Sequence, residues 1–295
     1  MTRFSENKII LAGKVFRIMG LGWLAKSCQP SDNIRVTTTH YVRSTDKDNF
    51  REIVRYLTET RRVITPADFF KFYNSSNGTG ELKGQSLLMT FDDGFHSSYL
   101  AAKDILSSFG IKAIFFIPTQ ILELKSQQDM LQFAANNINR GNIESGLLTE
   151  DEYVTMNKAE ILDLHRDGHL ILPHTHTHCD ILDIRNQGDV ERELIQPKKI
   201  LEYLLGEKIE SLAFPDGTER VVSSYSYDQI KKHYKYAFPA LLGVNHKRTN
   251  PYFFYRDCIH AHYSLSYVKD ILDGVYDPYY YFKMQRLKSR VASPV

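Results

Sequence analysis

Two short stretches hold residue types that could do chemistry together. In the first, Asp92-Asp93-Gly94 follows the apolar run Ser86–Phe91. Neighbouring side chains on a strand point to opposite faces, so both carboxylates serve one site only if the chain turns there. One acid could then bind a metal while the other, left free, acts as a base. An ordinary Asp-Gly turn is the plainer alternative. The second stretch is His174-Thr175-His176-Thr177-His178. Imidazoles four residues apart can meet one metal ion from a helical turn or a tight loop, and imidazole with carboxylate suits Zn²⁺ and its neighbours. Three protein ligands leave a coordination position for water, which is the catalytic rather than the structural pattern. His176 should point away from such a site. Cys179 is a conceivable soft ligand but reads more simply as a small buried thiol, and solvated loop histidines are the plain alternative for the whole stretch.

These groups need elements to position them. Ile34–Val42 is rich in β-branched residues, Asn49–Thr58 has helical spacing, and Val63-Ile64 is a short strand. Thr65-Pro66-Ala67-Asp68 starts a helix with a cap, a first-turn proline and a first-turn acid. After a polar loop over 74–84, Ser86–Phe91 is a buried strand, Ser97–Phe109 an amphipathic helix stopped by Gly110, and Lys112–Ile117 the next strand. Residues 119–155 lack clean periodicity and read as an insertion, a candidate helical lid. Asn157–Gly168 is a capped helix, His169–Leu172 a strand, and Asp189–Leu205 an amphipathic helix. Leu212–Phe214 is a strand leading into Pro215-Asp216-Gly217. Further on come a helix near Ser224–His233, strands near Tyr236 and at Cys258–Ala261, and a helix at Ser266–Leu272. Strands alternating with helices predict an α/β fold with a parallel sheet, in which function collects at the carboxyl edge of the strands.

Composition sets the outer limits. At 295 residues, 42% hydrophobic and 24% charged, the chain is an ordinary globular one with room for a single large core. Lys and Arg number 37 against 35 Asp and Glu, a net charge of +2, so there is no polyanion bias and nucleic acid is not an expected partner. The cysteines, Cys28, Cys179 and Cys258, are few and scattered, which implies no disulfide framework and favours a reducing compartment. The first 29 residues lack the unbroken apolar stretch and cleavage site of a signal peptide, and no run reaches the length of a membrane span. Residues 5–27 instead carry an apolar stripe flanked by cations, an amphipathic helix either packed on the domain or resting on a membrane surface. The expected location is therefore cytoplasmic, with peripheral contact at the inner membrane face as the alternative.

Thr90-Phe91-Asp92-Asp93-Gly94, His174-Thr175-His176-Thr177-His178 and Phe214-Pro215-Asp216-Gly217, in that order, resemble the first three motifs of the polysaccharide deacetylase (NodB homology, carbohydrate esterase family 4) proteins. The flanks agree: His40 in the early strand, Ala113-Ile114-Phe115-Phe116 after the first helix of the motif region, and Asp167-Gly168-His169 before the histidines. The resemblance runs from about Ile34 to Leu272. It implies a distorted (β/α) barrel, one catalytic domain over 31–275 with the insertion at about 119–156. An N-terminal helical segment (1–30) precedes it and a C-terminal tail (276–295) follows. It also implies a divalent ion, zinc before cobalt, nickel or manganese, held by Asp93, His174 and His178. Asp92 would be the base that takes the proton of the attacking water, while the ion acidifies that water and polarises the amide oxygen. A backbone N–H near Asp216, within Pro215-Asp216-Gly217, would hold the oxyanion, and a histidine would protonate the leaving amine.

The departures bear on that last step. The third motif usually has an arginine two residues before its proline, where this chain has Ala213; Asp216 stands where an aromatic is common, and Pro173 precedes His174 in place of a small polar residue. Arg256 could supply the missing cation beside Asp92, or lie on the surface. For the acid, His260 and His262 would share one face of a strand, and His40 is a third candidate that lines the pocket. The expected reaction is hydrolysis of an N-acetyl group on an amino sugar of a polysaccharide, oligosaccharide or glycan precursor. A deformylase or other amide hydrolase on a small or lipid-linked sugar is the alternative, and a non-catalytic sugar-binding relative is disfavoured by the free base Asp92.

Overall fold

The computed structural model describes residues 31–75, 82, 84–143, 146, 148–217 and 222–277. The amphipathic segment 5–27 and the tail beyond Asp277 lie outside these. Among the described residues no helix is long and apolar enough to cross a membrane.

The core strand is β3 (Gln85–Phe91), whose neighbour β1 (Asn33–Thr39) is buried along its whole length. They pair in parallel from Asn33↔Gln85 to Thr39↔Phe91. The other edge of β3 is shared: β2 (Arg62–Val63) pairs with its start, and β4 (Ile114–Ile117) with its end. Next to β4 lies β5 (Leu170–Pro173), and outside β1 lies β8 (Asp257–Cys258). A second parallel pair joins β6 (Ser211–Ala213) to β7 (Tyr236–Phe238). Every ladder among the described residues is parallel, as the alternation of strands and helices predicts, and the strands curve into a distorted (β/α) barrel.

The helices take their outer positions from their apolar spacing. In α1 (Lys47–Thr60), Phe50, Ile53, Val54 and Leu57 are the buried residues, the i, i+3, i+4, i+7 stripe of a helix lying on a sheet; Phe50 meets Phe91 edge-on at 6.2 Å between centroids. In α2 (Pro66–Asn74), Thr65 and Asp68 form a reciprocal capping box. Its Phe69 packs against Phe238 and Phe254, tying the β6–β7 pair to the β8 side of the barrel. Helix α3 (His96–Ala101) leads from β3 towards β4 and continues as a π-helical stretch, Ala102–Leu106. The segment after β4 contains α4 (Gln127–Phe133) and α5 (Glu150–Tyr153) and has its own small apolar cluster at Ala134, Ala135 and Leu148. Then follow α6 (Lys158–Arg166), α7 (Gln187–Val190), α8 (Gln196–Leu205), α9 (Ser224–His233) and α10 (Leu265–Leu272).

One expected strand is shorter than its sequence suggests. The residues Cys258–Ala261 do not all extend: β8 ends at Cys258, Ile259 N–H still donates to the Thr38 carbonyl at 2.8 Å, and the chain then turns, Tyr263 N–H donating to His260 O at 3.0 Å. His260 and His262 therefore share a side through ring stacking on a turn, centroids 5.3 Å apart, and not through strand alternation.

The β1–β8 seam carries a buried ion pair. Arg35 Nη1 donates to both carboxylate oxygens of Asp257 at 3.1 and 2.9 Å, and both side chains are sealed from solvent. Burial raises the Asp257 carboxyl to about 6 even though Arg35 pulls it down. Its folded value exceeds the unfolded 3.8, so its contribution is largest at low pH and is lost as pH rises towards about 6. Arg35→Ala strands an uncompensated buried carboxylate and should cost about 3–5 kcal/mol. Urea unfolding should give a larger loss at pH 8 than at pH 5; an equal loss at both would mean the cost is packing alone.

Candidate active site

The carboxyl edge of β3 answers whether two consecutive aspartates can serve one site. Asp92 still belongs to the ladder, its N–H donating to Thr39 O at 3.0 Å. Asp93 then takes a left-handed backbone, φ 71°, and Gly94 follows at φ 72°. The strand's alternation breaks there, and both carboxylates turn to the same pocket, each 3% exposed. Gly94 is required for two reasons: its backbone is left-handed, and a Cβ would stand 2.7 Å from Ile121 Cδ1.

His174 leaves β5, its N–H extending the β4–β5 ladder to Ile117 O at 2.8 Å. The loop to His178 is not a helical turn, for Thr175 and His178 both have positive φ (60° and 63°). Buried Glu193 holds it, accepting from the N–H groups of His176 and Thr177 at 3.2 and 3.0 Å and from Thr177 Oγ1 at 3.0 Å. His176 points away as expected yet is buried, held by Thr119 Oγ1 at 2.9 Å.

The tautomers of the two outer histidines follow from their partners. His174 Nδ1 lies 3.1 Å from Ala213 O, and His178 Nδ1 lies 3.2 Å from Asn137 O. Carbonyls only accept, so each Nδ1 carries a proton and each Nε2 is turned inward. Asp93 Oδ1 stands 3.2 Å from His178 Nε2 and 3.6 Å from His174 Nε2, is buried, and makes no hydrogen bond of good geometry among the described residues. With one donor atom each, the three side chains fall within 4.8 Å of one another. Burial opposes charge on His178, but Asp93 raises its pKa, so in the absence of an ion His178 Nε2 can carry a proton towards Asp93; with that proton gone, the Asp-His-His set suits a divalent ion of the zinc class. Burial lowers the His174 imidazole to about 4, so it is neutral at pH 7. Burial likewise opposes charge on Asp93, but His178, His40 and His174 prevail and hold it well below the usual carboxylate range.

Asp92 is differently placed. Its Oδ1 accepts from Arg256 Nη1 at 2.7 Å, and its Oδ2 is 3.9 Å from His174 Nε2. Arg256 is fully buried, also within 3.4 Å of the Thr38 and Thr90 hydroxyls, with its guanidinium 5.2 Å from the Phe116 ring centroid. The cation missing at Ala213 thus arrives from the segment before β8. Burial would raise Asp92, but Arg256, His174 and His40 outweigh it and lower its pKa, so it is an anion.

The parallel register sets His40, next after Thr39, beside Asp92. Burial opposes its charge, yet Cys258, Asp93 and Asp92 raise its pKa above the ordinary histidine value. His40 stacks on His260 with centroids 5.5 Å apart; His262, one ring further, is exposed. Pro215-Asp216-Gly217 follows β6, with Asp216 exposed, left-handed (φ 49°) and paired to Arg140 of the insertion. A Cβ on Gly217 would come within 2.2 Å of Ala240 N, so only glycine lets the two segments pass.

Sequence reasoning missed several contributors. Asn137 lies in the stretch without periodicity, Glu193 reads as surface charge on an amphipathic run, and a backbone carbonyl such as Ala213 O leaves no mark in a sequence. Tyr153 also belongs here, ringed by Tyr41 and Phe95; burial, with Tyr41, Glu152 and Asp93 nearby, pushes its hydroxyl up to about 12.

Among curated proteins none matches the chain. In three dimensions it is similar to the deacetylase PplD of Streptococcus pyogenes, solved in complex with acetate, with a TM-score of 0.62 at 16% identity, covering 82% of this chain and 99% of that one. It is also similar to a de-N-acetylase from Aggregatibacter actinomycetemcomitans (TM-score 0.60, 15% identity, 81% and 100% covered). For IcaB from Ammonifex degensii the TM-score is 0.59 at 18% identity, with 77% and 92% covered. At these identities the likeness is one of fold. Residues 79–237, more than half of the chain, match the family model for polysaccharide deacetylase. That span includes Asp92, Asp93, His174, His178 and Pro215-Asp216-Gly217, and the chain belongs to the polysaccharide deacetylase family, hydrolases of carbon–nitrogen bonds outside peptides.

Proposed function

We propose that this deacetylase removes the N-acetyl group from an amino sugar of a glycan or glycan precursor, with a divalent ion, zinc first, held by Asp93, His174 and His178. The observation that carries this is the convergence of Asp93 Oδ1 and two inward imidazole nitrogens in a buried pocket, beside a second carboxylate engaged elsewhere. When bound, the ion supplies Lewis acidity, polarising the acyl carbonyl and acidifying water.

The protein's own groups do the rest. Asp92, anionic and oriented by Arg256, accepts the proton of the attacking water through the oxygen that Arg256 leaves free. His40 donates a proton to the departing amine, since an amide nitrogen is a poor leaving group without one. His260 backs its ring, with His262 outside. The backbone N–H beside Asp216 holds the developing oxyanion. The Arg140–Asp216 pair makes the insertion one wall of the pocket.

The roles of the two aspartates separate by experiment. Asp93→Asn removes an anionic ligand and should lose bound metal and activity together. Asp92→Asn should keep the metal and lose most of the rate, roughly 10²–10⁴-fold, because an amide cannot take up the proton. Mass spectrometry of N-acetylated amino-sugar oligomers, alongside metal content, reads both; full activity in Asp92→Asn would end its assignment as base. For the acid, His40→Ala should slow turnover by a similar factor with metal content unchanged, whereas His262→Ala should have a far smaller effect. If His260→Ala or His262→Ala abolishes turnover and His40→Ala does not, the proton comes from the turn after β8.

A further inference from the structure

We propose that His40, Cys258 and His260 form a second metal site, for a soft divalent ion of the zinc class, and that filling it switches the enzyme off by taking His40 out of the reaction. One nitrogen from each imidazole and the Cys258 sulfur lie within 4.8 Å of one another, and no residue is shared with Asp93, His174 and His178. The two donor sets differ in chemistry. The first is nitrogen and oxygen; the second adds a thiol, which as thiolate selects zinc and softer ions over calcium, magnesium or manganese.

Three observations mark this as more than a chance cluster. His40 Nδ1 is buried with no hydrogen-bond partner among the described residues, a cost that a bound cation removes. The donors sit on rigid elements: His40 follows β1 and Cys258 ends β8, and the two strands pair at Thr37↔Asp257 and Thr38↔Cys258. Cys258 Sγ already lies 3.5 Å from His260 Nε2. All three side chains are half-buried, so an ion can reach them, and binding releases the thiol proton to water.

The consequence follows from His40 standing in both places. Its charge is felt by Asp92 and Asp93, and the same ring can ligate beside Cys258. An ion on its nitrogen displaces the proton it would deliver. The inhibitory half rests on His40 being the proton donor; the metal site itself does not.

Cobalt separates the two halves, because a cobalt–thiolate bond gives a near-ultraviolet charge-transfer band that nitrogen and oxygen ligands lack. The metal-free full chain titrated with Co²⁺ should take up two equivalents and develop that band. Cys258→Ser should take up one equivalent without it, the remaining equivalent showing that the variant is folded. Absence of the band at saturating Co²⁺, or its persistence in Cys258→Ser, would overturn the second site. With one equivalent of Zn²⁺ each protein sets its own baseline turnover. Excess Zn²⁺ should then lower wild-type turnover by the roughly 10²-fold or more that losing a general acid costs, and leave Cys258→Ser active. A Cys258-dependent band without such inhibition would overturn the switch.

Discussion

The site turns on an electrostatic demand: three lone-pair donors, Asp93 Oδ1 and the Nε2 atoms of His174 and His178, face one another in a buried pocket. Several features enforce that arrangement. The carbonyls of Ala213 and Asn137 hold protons on the far side of each imidazole, so both Nε2 atoms are turned towards Asp93. Arg256 is spent on Asp92 and does not reach Asp93, so one of two adjacent carboxylates is neutralised by the protein and the other is left for a cation. That division is the basis of the proposed roles, Asp93 as ligand and Asp92 as base.

Holding this geometry costs backbone strain, and the strain is concentrated. Among the described non-glycine residues, positive φ occurs at Asp93, Thr175, His178 and Asp216, all in the three motifs, and at Arg140, which pairs with Asp216. Left-handed backbone at such residues costs on the order of 1 kcal/mol or more each and persists only where the surroundings overdetermine it. Here the surroundings are the β3–β4–β5 ladders on one side and the Glu193 carboxylate, saturated with loop donors, on the other. The insertion after β4 takes part as well: Asn137 fixes His178 through its carbonyl and Thr177 through its side-chain amide at 2.9 Å. It is thereby a structural support of the site.

How much of this is legible in the sequence depends on where the information is written. The parallel barrel is readable because apolar runs, capped helices and glycine stops recur in register, and the capping box at Thr65 and Asp68 is where the pattern places it. Asp92, Asp93, His174 and His178 each admit a plain reading alone, a turn or solvated loop histidines, and stand out only together with the order of the motifs; the fold brings the four side chains into one buried place. Arg256 is open to two readings in the sequence, since its partner lies 164 positions away and no local pattern records a contact at that range. The turn after Cys258 was hidden by Ile-His-Ala-His, whose alternation imitates a strand; the ladder ends because Ile259 gives its N–H to Thr38 and the chain then closes on His260. The family match spans residues 79–237, so His40 and the turn after β8 both lie outside it.

The demand for a cation among Asp93, His174 and His178 is tested most directly by diffraction from crystals of the protein grown with zinc, using anomalous scattering on both sides of the zinc edge. The proposed ligand set predicts a peak at roughly 2.0–2.2 Å from Asp93 Oδ1 and from both Nε2 atoms, with Asp92 still paired to Arg256. A pocket without a peak at saturating zinc, or a peak bonded to Asp92 with Asp93 turned away, would contradict it.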